Sequence, residues 1–198
     1  MRAIFCLLAL VTLSFSSCRF GTGKKIRGNG HAVSSTRNPG TFTGVEQKGS
    51  FDIILRTGPV AEVMIEAEDN ISSYIDTHVD NNTLVIRTKE GFSLKPTREI
   101  KIVVTAPGLS EVWSNGSGNI TSETIISDGV SLTVGTRGSG NITMQVQSPE
   151  VKAESYGSGN IELSGETRKV TMESAGSGNL TADGLKAENA SIEINGSG

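Results

Sequence analysis

The sequence predicts an all-β protein. Its C-terminal part reads as a parallel β-helix (a β-solenoid) of about 19–22 residues per coil, capped by a β-rich N-terminal half. Three observations lead there. Gly-Ser-Gly-Asn recurs at Gly116–Asn119, Gly138–Asn141, Gly157–Asn160 and Gly176–Asn179, at intervals of 22, 19 and 19 residues. A further copy starts 20 residues on and reaches Gly198. Around each tetrad apolar and polar residues alternate, the pattern of a strand with one buried face. Finally, 24 glycines in 198 residues stand against 6 Phe, 2 Tyr and 1 Trp, which suits a slim interior of small side chains.

Residues 1–17 read as an export signal. Arg2 precedes an apolar run from Ala3 to Leu13, too short to cross a bilayer as a helix. Either an ordinary signal peptide is cut near Ser17, or Cys18 is the lipidated first residue of a lipoprotein. Cys6 lies within the signal, so Cys18 is the lone cysteine of the exported chain, which favours lipidation. Residues 18–30 then form a glycine-rich tether whose Lys24, Lys25 and Arg27 could rest on an anionic membrane. The formal net charge of −3 gives no reason to expect nucleic acid.

Residues 31–110 are strand-rich. Phe51, Ile53 and Leu55 alternate, as do Val63, Ile65 and Ala67, and Ile100, Ile102 and Val104. Ile71 to Ile75 suits one helical turn, and Asp80-Asn81-Asn82 a turn before Leu84-Val85-Ile86. Hairpins and irregular coils both fit this half. Gly28-Asn29-Gly30 echoes the corner motif.

Residues 111–198 carry the repeat. Four positions before each corner glycine stand Val112, Val134, Ala153, Met172 and Ile192; two before stand Ser114, Thr136, Ser155, Ser174 and Ile194. Ile120, Ile142, Ile161 and Leu180 follow the tetrads. Length varies only where Asp128-Gly129, Pro149, Gly165 and Asp183-Gly184 fall. Each coil is thus expected as strand, tight corner, strand and looser loop. Corner residues Gly116, Gly118, Gly138, Gly140, Gly157, Gly159, Gly176 and Gly178 would supply positive φ and close approach. Asn119, Asn141, Asn160 and Asn179 would stack as a hydrogen-bonded ladder.

Chemistry is sparse. His31 and His78 have no metal-spaced partner, and no Gly-Ser-Gly serine has an evident base. One column is a candidate metal stripe: Glu154, Glu173 and Glu193 would line an outward face about 4.8 Å apart. Calcium, or Lys152 and Lys186, could offset their repulsion. Trp113 stands in the same column, as a packing residue or a sugar-stacking platform, and Arg137 is the nearest candidate base. No catalytic residue and no cofactor other than calcium is expected.

The ordered set Phe42-Thr43-Gly44-Val45, Gly49-Ser50-Phe51-Asp52-Ile53, Asn82-Thr83-Leu84-Val85-Ile86 and repeated Gly-Ser-Gly-Asn resembles the auto-transporter adhesin, head GIN domain family over about residues 27–198. The resemblance implies an all-β envelope protein, exported or lipid-anchored, of Bacteroidetes-type bacteria. It implies no catalytic residues. Family members usually run on past this point, so a missing terminal cap is expected here.

The expected function is that of a non-enzymatic outer-membrane lipoprotein, adhesin-like or assembling with polysaccharide or another envelope protein. A β-helix lyase or hydrolase acting on polysaccharide is the alternative, and a structural envelope spacer the second. An uncapped last coil predicts end-to-end self-association.

Overall fold

A computed structural model describes residues 23–198. The signal segment, Cys18 and the first part of the tether lie outside the described residues. The N-terminal half holds β1 (Lys24–Arg27), β2 (Ala32–Arg37), β3 (Gly44–Lys48), β4 (Asp52–Thr57), β5 (Glu62–Glu68), the single helical turn α1 (Asp69–Ser72), β6 (Ile75–Asp80), β7 (Thr83–Thr88), β8 (Phe92–Lys95) and β9 (Lys101–Ala106). The repeat region holds β10 (Glu111–Ser114), β11 (Ile120–Ser122), β12 (Ile126–Ser127), β13 (Ser131–Thr136), β14 (Ile142–Ser155), β15 (Ile161–Ser174) and β16 (Leu180–Ile194). The fold is all-β, and its sheet is mixed.

The N-terminal half uses both of the pairings the sequence left open. β2 with β5, β5 with β9 and β6 with β7 are antiparallel. β3 with β7 and β4 with β9 are parallel. β3 and β4 also pair in parallel with β10 and β11, and all of those partners lie 67 residues apart. Gly49-Ser50-Phe51-Asp52 is therefore a corner in its own right, seated directly beneath Gly116–Asn119. Ser117 N–H donates to the Gly49 carbonyl at 2.8 Å across that junction. The strands β2 and β6 stand at the two ends of the larger sheet's strand order. Arg37 of β2 reaches across to the Ile75 carbonyl at 2.6 Å and the Ser72 carbonyl at 2.8 Å.

In the repeat region, β14 and β15 pair in parallel from Ile142–Ile161 to Ser155–Ser174, and β15 and β16 pair in the same sense. Three expectations need correction here. Each coil was expected to break into two strands at a looser loop. Instead β14 continues through Pro149, β15 through Gly165 and β16 through Asp183-Gly184. Only the preceding coil is divided, with β11, β12 and β13 pairing in turn with β14.

The second correction concerns the corner glycines. Among the described glycines only Gly30, Gly40, Gly91 and Gly165 have positive φ, and none of these is in a corner. Close approach is the reason for glycine instead. A Cβ on Gly138 would lie 2.0 Å from the Gly116 carbonyl oxygen, and one on Gly140 2.0 Å from that of Gly118. The third concerns the tether: Lys24–Arg27 are strand β1, parallel to β8. Gly28 packs on the Glu68 carboxylate and stacks under no corner.

The core follows the expected columns. Val112, Val134 and Ala153 are fully buried, as are Ile120 and Ile142, each large aliphatic contributing roughly 1.5–3 kcal/mol. The small hydroxylic column has a hydrogen-bonding reason. Ser114, Thr136, Ser155 and Ser174 each donate to the carbonyl four residues on, at Gly118, Gly140, Gly159 and Gly178. Gln47 fills this column in the first corner, donating to the Gly49 and Phe51 carbonyls at 2.8 and 3.1 Å. Outside the corners, Asn141, Asn160 and Asn179 each donate a side-chain amide to the asparagine of the coil before, at 3.1, 2.9 and 3.2 Å.

Candidate functional site

Alternation along β10, β13, β14, β15 and β16 sends one set of side chains inward and leaves the other on a common outer face. Parallel register then stacks like positions. Glu46, Trp113, Gly135, Glu154, Glu173 and Glu193 form one outer column. The position two residues further along each strand carries Asn115, Arg137 and Tyr156, in consecutive coils.

These columns meet in one cluster. Trp113 lies across Gly135, where a Cβ would come within 2.1 Å of the indole. The absence of a side chain at Gly135 thus makes room for the ring. The Arg137 guanidinium carbon sits 3.5 Å from the Trp113 ring centroid and 6.0 Å from that of Tyr156. The two rings lie 15° from parallel with centroids 6.4 Å apart. The indole N–H donates to Glu111 and the Asn115 amide to Glu46. Trp113 is 5% exposed whereas Tyr156 is 47% exposed. Trp113 is therefore packed beneath Arg137, and Tyr156 presents the open aromatic surface.

The glutamate column is not a uniform exposed stripe. Glu154 is 8% exposed and accepts from the Tyr156 hydroxyl at 2.9 Å. Lys152 Nζ stands between Glu154 and Glu173, at 2.9 and 3.1 Å. This ammonium supplies the countercharge that neighbouring carboxylates require. Burial pushes the Glu154 carboxyl up, but hydrogen bonds from Lys152 and Tyr156 outweigh it and hold it below its usual value. The hydrogen bonds to Glu154 and then Glu173 raise Lys152 well above the ordinary lysine value. Glu193 pairs with Glu173 in register but accepts from Asn195 at 2.7 Å. Lys186 lies apart from this column and pairs with Glu166 at 3.2 Å.

No group of three or more His, Cys, Asp or Glu side chains among the described residues is arranged to hold a metal ion. His78 contacts Asp76 at 3.1 Å, and His31 lies elsewhere, beside Asn29. Beside Trp113 and Arg137 a shallow cavity of about 220 Å³ is bounded by Glu46, Asp80, Asn81 and Glu111. A larger cavity of about 590 Å³, lined by Phe42, Pro59, Val60, Ala61 and Pro107, contains none of the candidate metal, base or sugar-stacking residues. Tyr156, Asn115 and Glu46 escaped sequence reasoning. Tyr156 and Asn115 could have been found by stacking the position just before each corner glycine.

Several solved structures are similar to this chain. A "putative adhesin" from Bacteroides fragilis is 22% identical, with 86% of this chain and 79% of that one covered and a TM-score of 0.81. A "putative adhesin" from Parabacteroides distasonis is 16% identical over 87% of this chain and 82% of its own, with a TM-score of 0.68. A "putative lipid binding protein" from the same species is 22% identical over 86% and 81%, at a TM-score of 0.65. These likenesses are of fold. Comparison with curated proteins finds no match. No helix among the described residues is long and apolar enough to cross a membrane. The sequence pattern named "Putative auto-transporter adhesin, head GIN domain" matches residues 41–198. The match takes in most of the chain, and the chain belongs to that family.

Proposed function

We propose that this protein is a non-enzymatic, adhesin-like protein of the cell envelope, held to the membrane by lipid on Cys18. In this reading the stacked coils from Gly116 on are a parallel β-helix, and their outer face binds polysaccharide. The observation that carries it is the stacking of Arg137 on Trp113 beside the exposed ring of Tyr156. An aromatic face next to planar donors and acceptors matches a sugar ring, whose C–H face stacks while its hydroxyls hydrogen-bond. Weak contacts repeated along a long ligand add through effective concentration.

Two features weigh against the polysaccharide-cleaving alternative. A lysine base must be neutral to take a proton, and the carboxylates flanking Lys152 favour its charged form. The Arg137 guanidinium is committed to its stack on the Trp113 ring. The envelope-spacer reading keeps the same fold without a ligand. No cofactor belongs to the reading. β16 pairs only with β15 and exposes Ile192 and Ile194, an apolar surface open to a further coil or to end-to-end contact with a second chain.

A glycan array probed with the chain from Arg19 onward tests the ligand. Binding lost in Tyr156→Ala and Arg137→Ala, with folding retained, is the expected result. Silence across the array returns the protein to the spacer reading. Incorporation of a labelled fatty acid that disappears in Cys18→Ala tests the anchor separately.

A further inference from the structure

Strand β1 does more than lead into the fold. Pairing with β8 sets Ile26 against Leu94 and Arg27 against Lys95. Ile26 and Leu94 pack on the core, so alternation turns Lys25, Arg27 and Lys95 to the opposite, outward face of this two-stranded ribbon. All three are exposed. Lys24 and Arg98, also exposed, lie at its margins, where Arg98 Nε donates to the Gly30 carbonyl at 2.7 Å.

None of these five cations forms an ion pair among the described residues. Two carboxylates near the ribbon, Glu68 and Asp69, are already engaged. Glu68 is buried and accepts from Gly30 N–H and Thr97 N–H at 2.6 and 2.9 Å. Asp69 accepts from the Asn29 side chain at 2.5 Å. By contrast, Lys48 of β3 and Lys152, Lys169 and Lys186 of the repeat region each face a carboxylate. In a chain of net charge −3, five cations without an ion pair thus lie together on or beside one ribbon.

We propose that the outward face of the β1–β8 ribbon, through Lys25, Arg27 and Lys95, docks on the headgroups of an anionic phospholipid bilayer. Charge complementarity argues for this partner, and so does position. Lys24 follows Cys18 by only six residues, so the ribbon is the part of the fold nearest any lipid carried there. Basic residues beside a bilayer add to what a single lipid attachment supplies, and their attraction fades within a Debye length. The ribbon would then fix how the stack stands relative to the membrane. Docking itself needs no lipid on Cys18.

The test uses the chain from Arg19 onward, which contains every described residue and lacks Cys18. Sedimentation with phosphatidylglycerol vesicles is compared with phosphatidylcholine vesicles. Preference for the anionic vesicles, lost at high salt, is the expected result. Lys25→Gln, Arg27→Gln and Lys95→Gln together should weaken partition about 100-fold, roughly fivefold per cation. Lys48→Gln, Lys169→Gln and Lys186→Gln together change net charge equally and should leave binding within about twofold of wild type. Equal partition to both vesicle types overturns the proposal, as does equal loss in the two triple variants at matched melting temperature. Glycan binding is read on the array, so either result leaves the polysaccharide reading to its own test.

Discussion

The carboxylate of Asp52 accepts two hydrogen bonds from Asn119, from its backbone N–H at 2.8 Å and from its side-chain amide at 3.2 Å. Asn119 in turn offers its own side-chain oxygen to Asn141 in the same two ways. Asp52 is therefore the first rung of the ladder. Asp52→Ala should cost about 1–2 kcal/mol in urea unfolding, whereas Asp52→Asn keeps an acceptor and should cost less than half of that. Equal losses in the two variants would show that the rung is not what matters there.

Gly140→Ala places a methyl group 2.0 Å from the Gly118 carbonyl oxygen, which is fixed by its own coil. Destabilisation of about 3 kcal/mol or more is expected from this overpacking. Gly129→Ala, where nothing lies within 4 Å of the added atom, should stay within about 0.5 kcal/mol of wild type. Thermal melts of the pair make the comparison.

Trp113 is the only tryptophan, so fluorescence reports on the cluster directly. Arg137→Ala should leave the fold intact and uncover the indole, giving red-shifted emission and stronger quenching by acrylamide. Trp113→Ala removes a ring that is 5% exposed and should destabilise by about 3–5 kcal/mol. Unchanged quenching in Arg137→Ala would mean that the guanidinium does not cover the ring in solution.

Glu68 carries the pH dependence. The Thr97 hydroxyl first, and then the N–H groups of Thr97 and Gly30, hold its carboxyl at about 2, down from an ordinary 4.5. A depressed pKa in the folded state means that the charged form stabilises the fold. That contribution is complete above about pH 4.5 and is lost as pH falls towards 2. Melting temperature should drop through this window in the wild type and depend less on pH in Glu68→Gln. Parallel curves for the two proteins would remove Glu68 from the account.

The corners from Gly116 on are legible in sequence because each sits on a corner of the same shape, whose carbonyl leaves no room for a Cβ. The Gly49–Asp52 corner escapes for the same reason. No like corner lies beneath it, so Phe51 can stand where later coils need glycine, and Asp52 replaces asparagine. The insertion of β5 to β9 then hides its spacing. Period-two patterning identifies inner and outer positions along a strand. It does not say that Trp113 leans across Gly135 to meet Arg137, because that depends on side chains in neighbouring coils. The pairing of β1 with β8 is equally hidden, since Lys24-Lys25-Ile26-Arg27 has a single apolar residue to mark it.

The asparagine ladder also bears on how the molecule could change size. Each rung accepts from the next coil in the same way that it donates to the one before, so a coil's contacts do not record its ordinal position. A tandem duplication of residues 142–160 would meet the same carbonyls, hydroxyls and amides on both sides. The reach of the outer face is then a quantity that mutation can alter in whole steps of about 4.8 Å, with no redesign of the cap held together by Arg37.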